Sequence, residues 1–295
     1  MKKLFLISIF LTKVFANDVQ IIYLPLAKSV SLVGETALVD NKAFNVLTNP
    51  AMLNYIDFGY SLEFNKLFYY SNTGYDVFGF SLKQKEGEVN NVGFVVGNFS
   101  SGKLKVRNIL GELTGETVEY LIRILAFGFS INLSSGKNYF ASLGFSGYYI
   151  LEKINLDIQY FGCNIGFVYE QRFQNSIFKN LRIGSVIKGL GMNKNVLHNE
   201  AISTQVGVVN FTFGYENFYP NLSEDKFKTA IISKIYKSKD NEYEVILNLG
   251  YNFARYSIIF SSGVEVKIKK ISLGYSFAQH QYLGNLQNIQ LSLKL

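Results

Sequence analysis

The sequence predicts an all-β fold, a closed antiparallel transmembrane β-barrel, and three observations carry the prediction. After Phe58, segments of roughly ten residues alternate apolar and polar side chains and then break at turn residues, the signature of strands with one greasy and one polar face. Phe (26) and Tyr (20) are abundant while Pro (3) is scarce, a balance that favours strands and supplies rings for a water–lipid boundary. The chain also opens with an export signal, and about a dozen such strands behind a signal fit an outer-membrane barrel, with lipid outside and a polar lumen.

Residues 1–16 read as that signal. Met1-Lys2-Lys3 is followed by the apolar run Leu4 to Leu11, and Val14-Phe15-Ala16 suits a signal peptidase. Lys13 is an unusual charge so close to the site, and no Cys follows it, which argues against a lipoprotein. Removing Lys2, Lys3 and Lys13 lowers the formal charge from +7 to +4, too mild a bias to imply nucleic acid. A transmembrane helix needs ~20 apolar residues. Ile122 to Phe129 comes nearest and is interrupted by Arg123.

Residues 17–56 do not alternate. Asn49 suits a helix N-cap and Pro50 the first helical position, so Ala51–Asn54 is predicted to form one helical turn. Apolar and placed just ahead of the first strand, this segment is expected to act as a plug or hatch in the bore. A periplasmic tail is the alternative.

The barrel is assigned to residues 57–295. Its first strand sets Phe58, Tyr60, Leu62 and Phe64 against Gly59, Ser61 and Glu63, and the next sets Phe78, Phe80 and Leu82 against Gly79, Ser81 and Lys83. Val92–Val96 suggests a third, and Leu125–Leu133 and Tyr139–Leu151 flank a turn at Ser135–Asn138. Further strands centre on 165–169, 181–187, 206–215, 227–235, 245–253, 256–268, 271–277 and 289–295, with Ile202–Phe218 long enough for two. The total is about 12 to 14 strands, since boundaries read from sequence carry errors of a few residues. Ser238–Asn241 and Lys269–Lys270 read as short periplasmic turns. Ser100–Glu119, Gly189–Ala201 and Tyr219–Lys226 read as longer extracellular loops.

The polar face is predicted to carry Gly93, Gly97, Gly128, Gly144, Gly166, Gly184, Gly214, Gly250 and Gly274. Such residues make room for a plug or for solvent, or relieve crowding where strands bend. Lumen-facing charges of mixed sign, Glu63, Arg182, Lys188, Glu216, Arg255, Glu265 and Lys267, speak against an ion-selective pore, where one sign dominates. Cys163 shares the apolar face with Ile165 and Phe167 and reads as a small hydrophobe.

Catalytic chemistry is not legible. There are two histidines. His198 is placed in a loop, and His280, in the turn before the last strand, is the one plausible base, read instead as a structural turn residue with Gly284. No HExxH or CxxC pattern occurs, and no lysine–hydroxyl pair follows Gly189-Leu190-Gly191 as a phosphate loop requires. No enzyme, metal or cofactor is expected.

The chain resembles a known family in two places. Ala37-Leu38-Val39-Asp40-Asn41 and Asn49-Pro50-Ala51-Met52-Leu53 precede the strands. The end reads Gly263-Val264-Glu265, Ile271–Phe277, His280, Leu283-Gly284 and Ile289–Leu293. Together these resemble the PorV/PorQ family within the FadL-type outer-membrane barrels. Asn41 stands where that family often has a second acidic residue, and Leu295 where it has a terminal aromatic. The resemblance implies a 14-stranded barrel with its N-terminal segment inside. It also implies passage of hydrophobic small molecules, as in FadL-type members, or an accessory or shuttle role in protein secretion, as in PorV-type members; a structural envelope protein is the third reading. The gate candidates are Ala37, Leu38, Asp40, Asn49, Pro50 and Ala51. Expected partners are outer-membrane lipid, the barrel-assembly machinery during biogenesis, and hydrophobic ligands or secretion-system proteins.

Overall fold

The computed structural model describes residues 37–39, 42–55, 59–68, 74–83, 89–107, 113–153, 157–174, 176–191, 196–219, 226–238, 240, 242–253, 258–280 and 284–295. The signal reading at 1–16 lies outside them, as do residues 17–36, Asp40 and Arg255. Two 3-10 turns come first, η1 (Lys42–Val46) and η2 (Pro50–Tyr55). The strands are β1 (Gly59–Phe68), β2 (Gly74–Lys83), β3 (Val89–Arg107), β4 (Leu113–Ser135), β5 (Tyr139–Lys153), β6 (Asp157–Arg172) and β7 (Phe178–Leu190). Then follow β8 (Val196–Val206), β9 (Val209–Tyr219), β10 (Lys226–Lys237), β11 (Tyr243–Asn252), β12 (Ile258–Ile268), β13 (Ile271–His280) and β14 (Gly284–Lys294).

Each strand pairs antiparallel with its sequence neighbours, and β1 pairs with β14 as well as β2, so the described strands form one closed 14-stranded barrel. Closure satisfies every ladder without leaving an edge, which hydrocarbon does not tolerate. The period of two sets the faces. In β1, Ser61, Glu63, Asn65 and Leu67 are buried toward the bore while Tyr60, Phe64 and Phe68 are exposed outside. The same phase turns Phe78, Phe94, Phe127, Phe213, Leu249 and Leu273 outward, and Cys163 is exposed on β6. β1 starts and β14 ends at one rim, here the proximal end; the opposite rim is the distal end.

Most turns fall where the sequence places them. β4 and β5 flank Gly136–Asn138, Lys269 and Lys270 form the turn before β13, and Leu190 ends β7. Ile202–Phe218 does hold two strands, divided at Gly207, whose φ of 61° suits a tight hairpin turn. Two loop expectations are corrected. Ser100–Glu119 is largely strand: β3 runs to Arg107 and β4 starts at Leu113, paired by Lys103↔Glu119 and Lys105↔Thr117. Since β2 begins at Gly74, opposite Ser100, and β5 ends at Lys153, opposite Leu121, this part of the β3–β4 pair projects beyond its described neighbours as a two-stranded ribbon. Both its faces can be polar there, so the alternation that marks a half-apolar strand is lost. Gly189–Ala201 is likewise mostly strand, with β7 reaching Leu190 and β8 starting at Val196. His198 therefore sits in β8 rather than in a loop. Its Nε2 is 3.1 Å from Ser185 Oγ and 3.3 Å from Glu200 Oε1, polar neighbours that hid the apolar phase of β8.

Candidate functional site

Residues 37–39 and 42–55 lie inside the barrel, and the Asn49-Pro50 pair organises them. Asn49 Oδ1 accepts the Ala51 N–H at 3.1 Å, and the Met52 N–H donates to the Asn49 carbonyl at 2.9 Å. This is N-capping, which satisfies donors that a helix start leaves open. The expected turn over Ala51–Asn54 is thus present as η2, in 3-10 form. Asn49 Nδ2 also donates to the Ala37 carbonyl at 2.6 Å, tying the preceding stretch to the cap.

Glycines on the wall make the seat. Gly79, Gly93, Gly128, Gly144, Gly166 and Gly184 face inward on β2 to β7. A Cβ at Gly144 would overlap the backbone of Pro50 and Ala51, at Gly166 the Asn49 side chain, and at Gly184 Leu38 and the Ala37 carbonyl. At Gly93 and Gly128 it would press on Val46, and at Gly79 on Phe44. Gly93 pairs with Gly128 and Gly144 with Gly166 across neighbouring strands, so the cleared patch is continuous. Gly97 instead accommodates the Tyr75 ring. Phe44, Val46, Met52 and Leu53 are fully buried in this seat, and each contributes on the order of 2 kcal/mol by leaving water.

Polar side chains of the wall fix the same segment. Glu63 on β1 accepts the Ala43 N–H at 3.1 Å. Asn91 on β3 donates to Asn54 Oδ1 at 2.6 Å, Asn54 Nδ2 donates to Ser142 Oγ on β5 at 2.5 Å, and Ser142 donates to the Ala51 carbonyl at 3.0 Å. At the end of η2, the Tyr55 ring lies 4.6 Å from the Arg182 guanidinium and meets Phe140 edge-on at 5.4 Å. Glu170 on β6 holds Arg182 at 2.7 Å and Arg172 at 2.8 Å. Burial pushes the Tyr55 phenol well above its ordinary pKa, against the opposing pull of Arg182.

The candidate residues thus divide. Ala37, Leu38, Asn49, Pro50 and Ala51 are all buried together against this wall. Asp40 lies outside the described residues. His280 ends β13 and Gly284 begins β14, and the two are register partners beside the turn, far along the chain from the seat. Of the wall residues, the sequence reading named Glu63, Arg182 and most of the glycines. It did not single out Tyr55, Asn54, Asn91, Ser142 or Glu170; for the last three, their inward phase was the available signal.

Beyond the seat, toward the distal end, the bore has two sides. On one, Leu67, Val77, Val95, Ile124, Ile150 and Leu286 face inward from β1 to β5 and β14 and form one apolar cluster with Phe44, Val46 and Leu53. On the other, the wall is charged and polar. Glu216 takes Lys228 at 2.6 Å with both side chains nearly fully buried, and Asn199 Nδ2 lies 3.4 Å from the same carboxylate. Nearer the proximal end, Glu244 holds Lys234 at 2.8 Å and Lys267 at 3.1 Å, and Ser272 donates to Glu265 at 2.7 Å. Of the lumen charges, Arg182, Glu216, Glu265 and Lys267 are ion-paired across the wall, and Glu63 accepts from the Ala43 N–H. Among the described residues no group of three His, Cys, Asp or Glu is placed to hold a metal.

No family model matches the chain, and no curated protein sequence does. Solved structures do match. The toluene transporter TbuX of Ralstonia pickettii superposes with a TM-score of 0.62 at 13% identity, over 94% of this chain and 100% of that one. The toluene transporter TodX of Pseudomonas putida gives 0.54 at 10% identity, over 95% and 98%. The monoaromatic hydrocarbon channel CymD gives 0.55 at 9% identity, over 92% and 97%. At these identities the likeness is one of fold: a closed barrel that matches these transporters over more than nine-tenths of the chain.

Proposed function

We propose that the chain, after removal of residues 1–16, is an outer-membrane barrel (57–295) that gives passage to hydrophobic small molecules, with residues 17–56 as the hatch that closes its bore. One observation carries this reading. The distal bore is packed with inward apolar side chains, Leu67, Val77, Val95, Ile124, Ile150 and Leu286, all nearly fully buried, where a water-filled porin has a polar interior. An apolar solute entering from the distal end would meet the partly buried Phe99, Tyr120 and Ile158 packed on this cluster, where it gains by leaving water. The cluster is continuous with the apolar side chains of η1 and η2, so the same packing that receives the solute also meets the hatch. The shared fold with solved hydrocarbon transporters supports the reading.

The test is uptake of a monoaromatic hydrocarbon and of a fluorescent fatty acid by cells or proteoliposomes carrying the barrel. Ile124→Asn with Ile150→Asn is expected to lower uptake about tenfold, the equivalent of ~1.4 kcal/mol of lost apolar contact, while the folded barrel persists on gels. Uptake unchanged by that pair would sink the passage reading.

A second reading rests on a separate observation. The β3–β4 ribbon projects past its neighbours at the distal rim, with Leu113, Thr114, Glu116 and Thr117 exposed. Such a ribbon suits a PorV-like accessory role, offering strand edges to a secreted or secretion-system protein. Removing residues 103–117 would abolish capture of such a partner while leaving uptake of small molecules intact. Capture that survives the truncation discards the accessory role.

A further inference from the structure

The two rims differ in charge. At the proximal end stand Lys83 at the end of β2, Lys137 between β4 and β5, Lys179 at the start of β7, Lys237 at the end of β10, Lys269 and Lys270 before β13, and Lys294 at the end of β14. They stand at every proximal strand connection except that of β8 and β9, where Val206, Gly207, Val208 and Val209 carry no charge. The described acidic side chains at this level are Asp240, Glu242 and Glu244; Glu242 takes Lys269 at 3.4 Å, and Glu244, the register partner of Lys237, takes Lys234 and Lys267 on the bore side. Lys137, Lys179, Lys237 and Lys270 are exposed and make no ion pair among the described residues. At the distal rim the described charges balance in number more nearly: Lys66 is 2.9 Å from Asp76 and Lys153 is 3.8 Å from Asp157, and Lys103 and Arg123 stand with Glu116, Glu119 and Glu152.

A second feature sets the depth of the proximal lysines. Exposed tyrosines stand beside them on the outer face: Tyr139 two residues after Lys137, Tyr236 next to Lys237, Tyr60 on β1 across from the end of β2, and Tyr243 at the start of β11. Tyrosine at the end of an apolar outer face marks headgroup level, with its ring in the hydrocarbon and its hydroxyl in the polar layer. Lys83, Lys237 and Lys294 keep the inward phase of their strands and ring the mouth of the bore, while Lys137, Lys179 and Lys270, at or beside the turns, reach the layer where lipid phosphates lie.

We propose that these three turn lysines bind the phosphodiester headgroups of anionic phospholipids in the leaflet at the proximal end, the inner leaflet of an outer membrane. The ammonium groups supply the positive charge and the tyrosine hydroxyls donate to phosphate oxygens. The interaction is independent of whether the bore conducts, so it stands or falls apart from the passage reading.

The experiment uses the folded protein in nanodiscs of equimolar phosphatidylcholine and phosphatidylglycerol, followed by mild detergent transfer and native mass spectrometry of the lipid retained. The wild type is expected to retain phosphatidylglycerol about threefold or more over phosphatidylcholine, and to lose that preference in high salt. The variant with Lys137→Gln, Lys179→Gln and Lys270→Gln should fall to parity, while the three Lys→Arg changes keep the preference. Should the Gln variant fail to fold, each single Lys→Gln change should lower the ratio in part. The proposal is overturned by parity in the wild type, by a preference that survives the Gln changes, or by single changes that leave the ratio unmoved. It is also overturned if the preference vanishes instead when Lys66, Arg123 and Lys153 of the distal rim are neutralised. A wild type at parity that binds polyglutamate through the same lysines would assign them to an acidic protein.

Discussion

The inner wall from β1 to β7 and the inner wall from β9 to β14 are built from the same kinds of residue and use them differently. Both carry inward glycines, carboxylates and serines. On the first arc the glycine positions are occupied by another part of the chain, with Pro50 and Ala51 at Gly144 and Asn49 at Gly166. On the second, a Cβ at Gly274 would meet nothing closer than 3.7 Å, the Gln290 side chain. The first arc is an interface built on its glycines, while the second meets the inner segment through apolar side chains, Ala230 and Ile232 at Val39 and Ala278 and Leu286 beside Phe44, and pairs its charges within the wall. An inward glycine therefore reports space, and what fills the space must be read from contacts distant in sequence.

The largest expected effect comes from filling that space. Gly144→Val puts a branched side chain where backbone atoms of η2 lie, and backbone cannot step aside as a flexible side chain can. The cost should be about 3 kcal/mol or more, or the segment should leave its seat. Gly274→Val should cost about 1 kcal/mol or less, since its neighbours stand at ordinary contact distance and valine favours strands. The chain has no Trp, so urea unfolding is best followed by far-UV circular dichroism and by heat-modifiable gel mobility. Equal losses at the two positions would erase the distinction between the arcs.

Carboxylates sharpen it. Glu170 is almost wholly buried and holds two guanidiniums, one of which packs on Tyr55. Glu170→Gln removes the charge both arginines face, and should cost on the order of 2 kcal/mol, less than a fully buried pair because Arg172 is half exposed. It should also raise hydrogen exchange at Asn54 and Tyr55. Glu265 on the second arc receives Ser272, while its Lys267 neighbour already has Glu244 at 3.1 Å. Glu265→Gln should cost about 0.5 kcal/mol and leave exchange in η2 untouched. A larger loss at Glu265 would mean that the charges of the second arc, too, bear on the inner segment.

The difference between the arcs also explains what could be read from sequence. The outer faces were legible because lipid asks one thing of every strand: Phe64, Phe127 and Leu291 need no knowledge of their neighbours. The cap at Asn49-Pro50 was legible because it is local chemistry, two residues satisfying the donors of the next turn. The seat was legible in part. The period of two placed Gly144 and Gly166 in the bore, but gave no means of distinguishing them from Gly274, since their partners lie more than ninety residues earlier in the chain. The β3–β4 ribbon was misread as a loop because beyond the lipid band no apolar phase is required. Strand β8 was misread because His198 and Glu200 break the apolar phase on the outer face.

The smallest effect is the cleanest comparison, because it deletes a single oxygen on each arc. Ser142 on β5 and Ser276 on β13 are both inward and both buried. Ser142 Oγ donates to the Ala51 carbonyl and accepts from Asn54, so Ser142→Ala leaves a buried carbonyl and a buried amide each short of a partner. That should cost about 1 to 2 kcal/mol. Ser276 Oγ has no hydrogen-bond partner among the described residues, so Ser276→Ala removes a buried hydroxyl that gains nothing from the fold. It should change stability by less than about 0.5 kcal/mol, and in the stabilising direction if it changes it at all. Paired urea titrations resolve a difference of this size when both variants share the wild-type slope. If Ser276→Ala proved the costlier of the two, the hydroxyl would have a partner that matters to the fold, and the polar side chains of the second arc would have to be counted in the interface like those of the first.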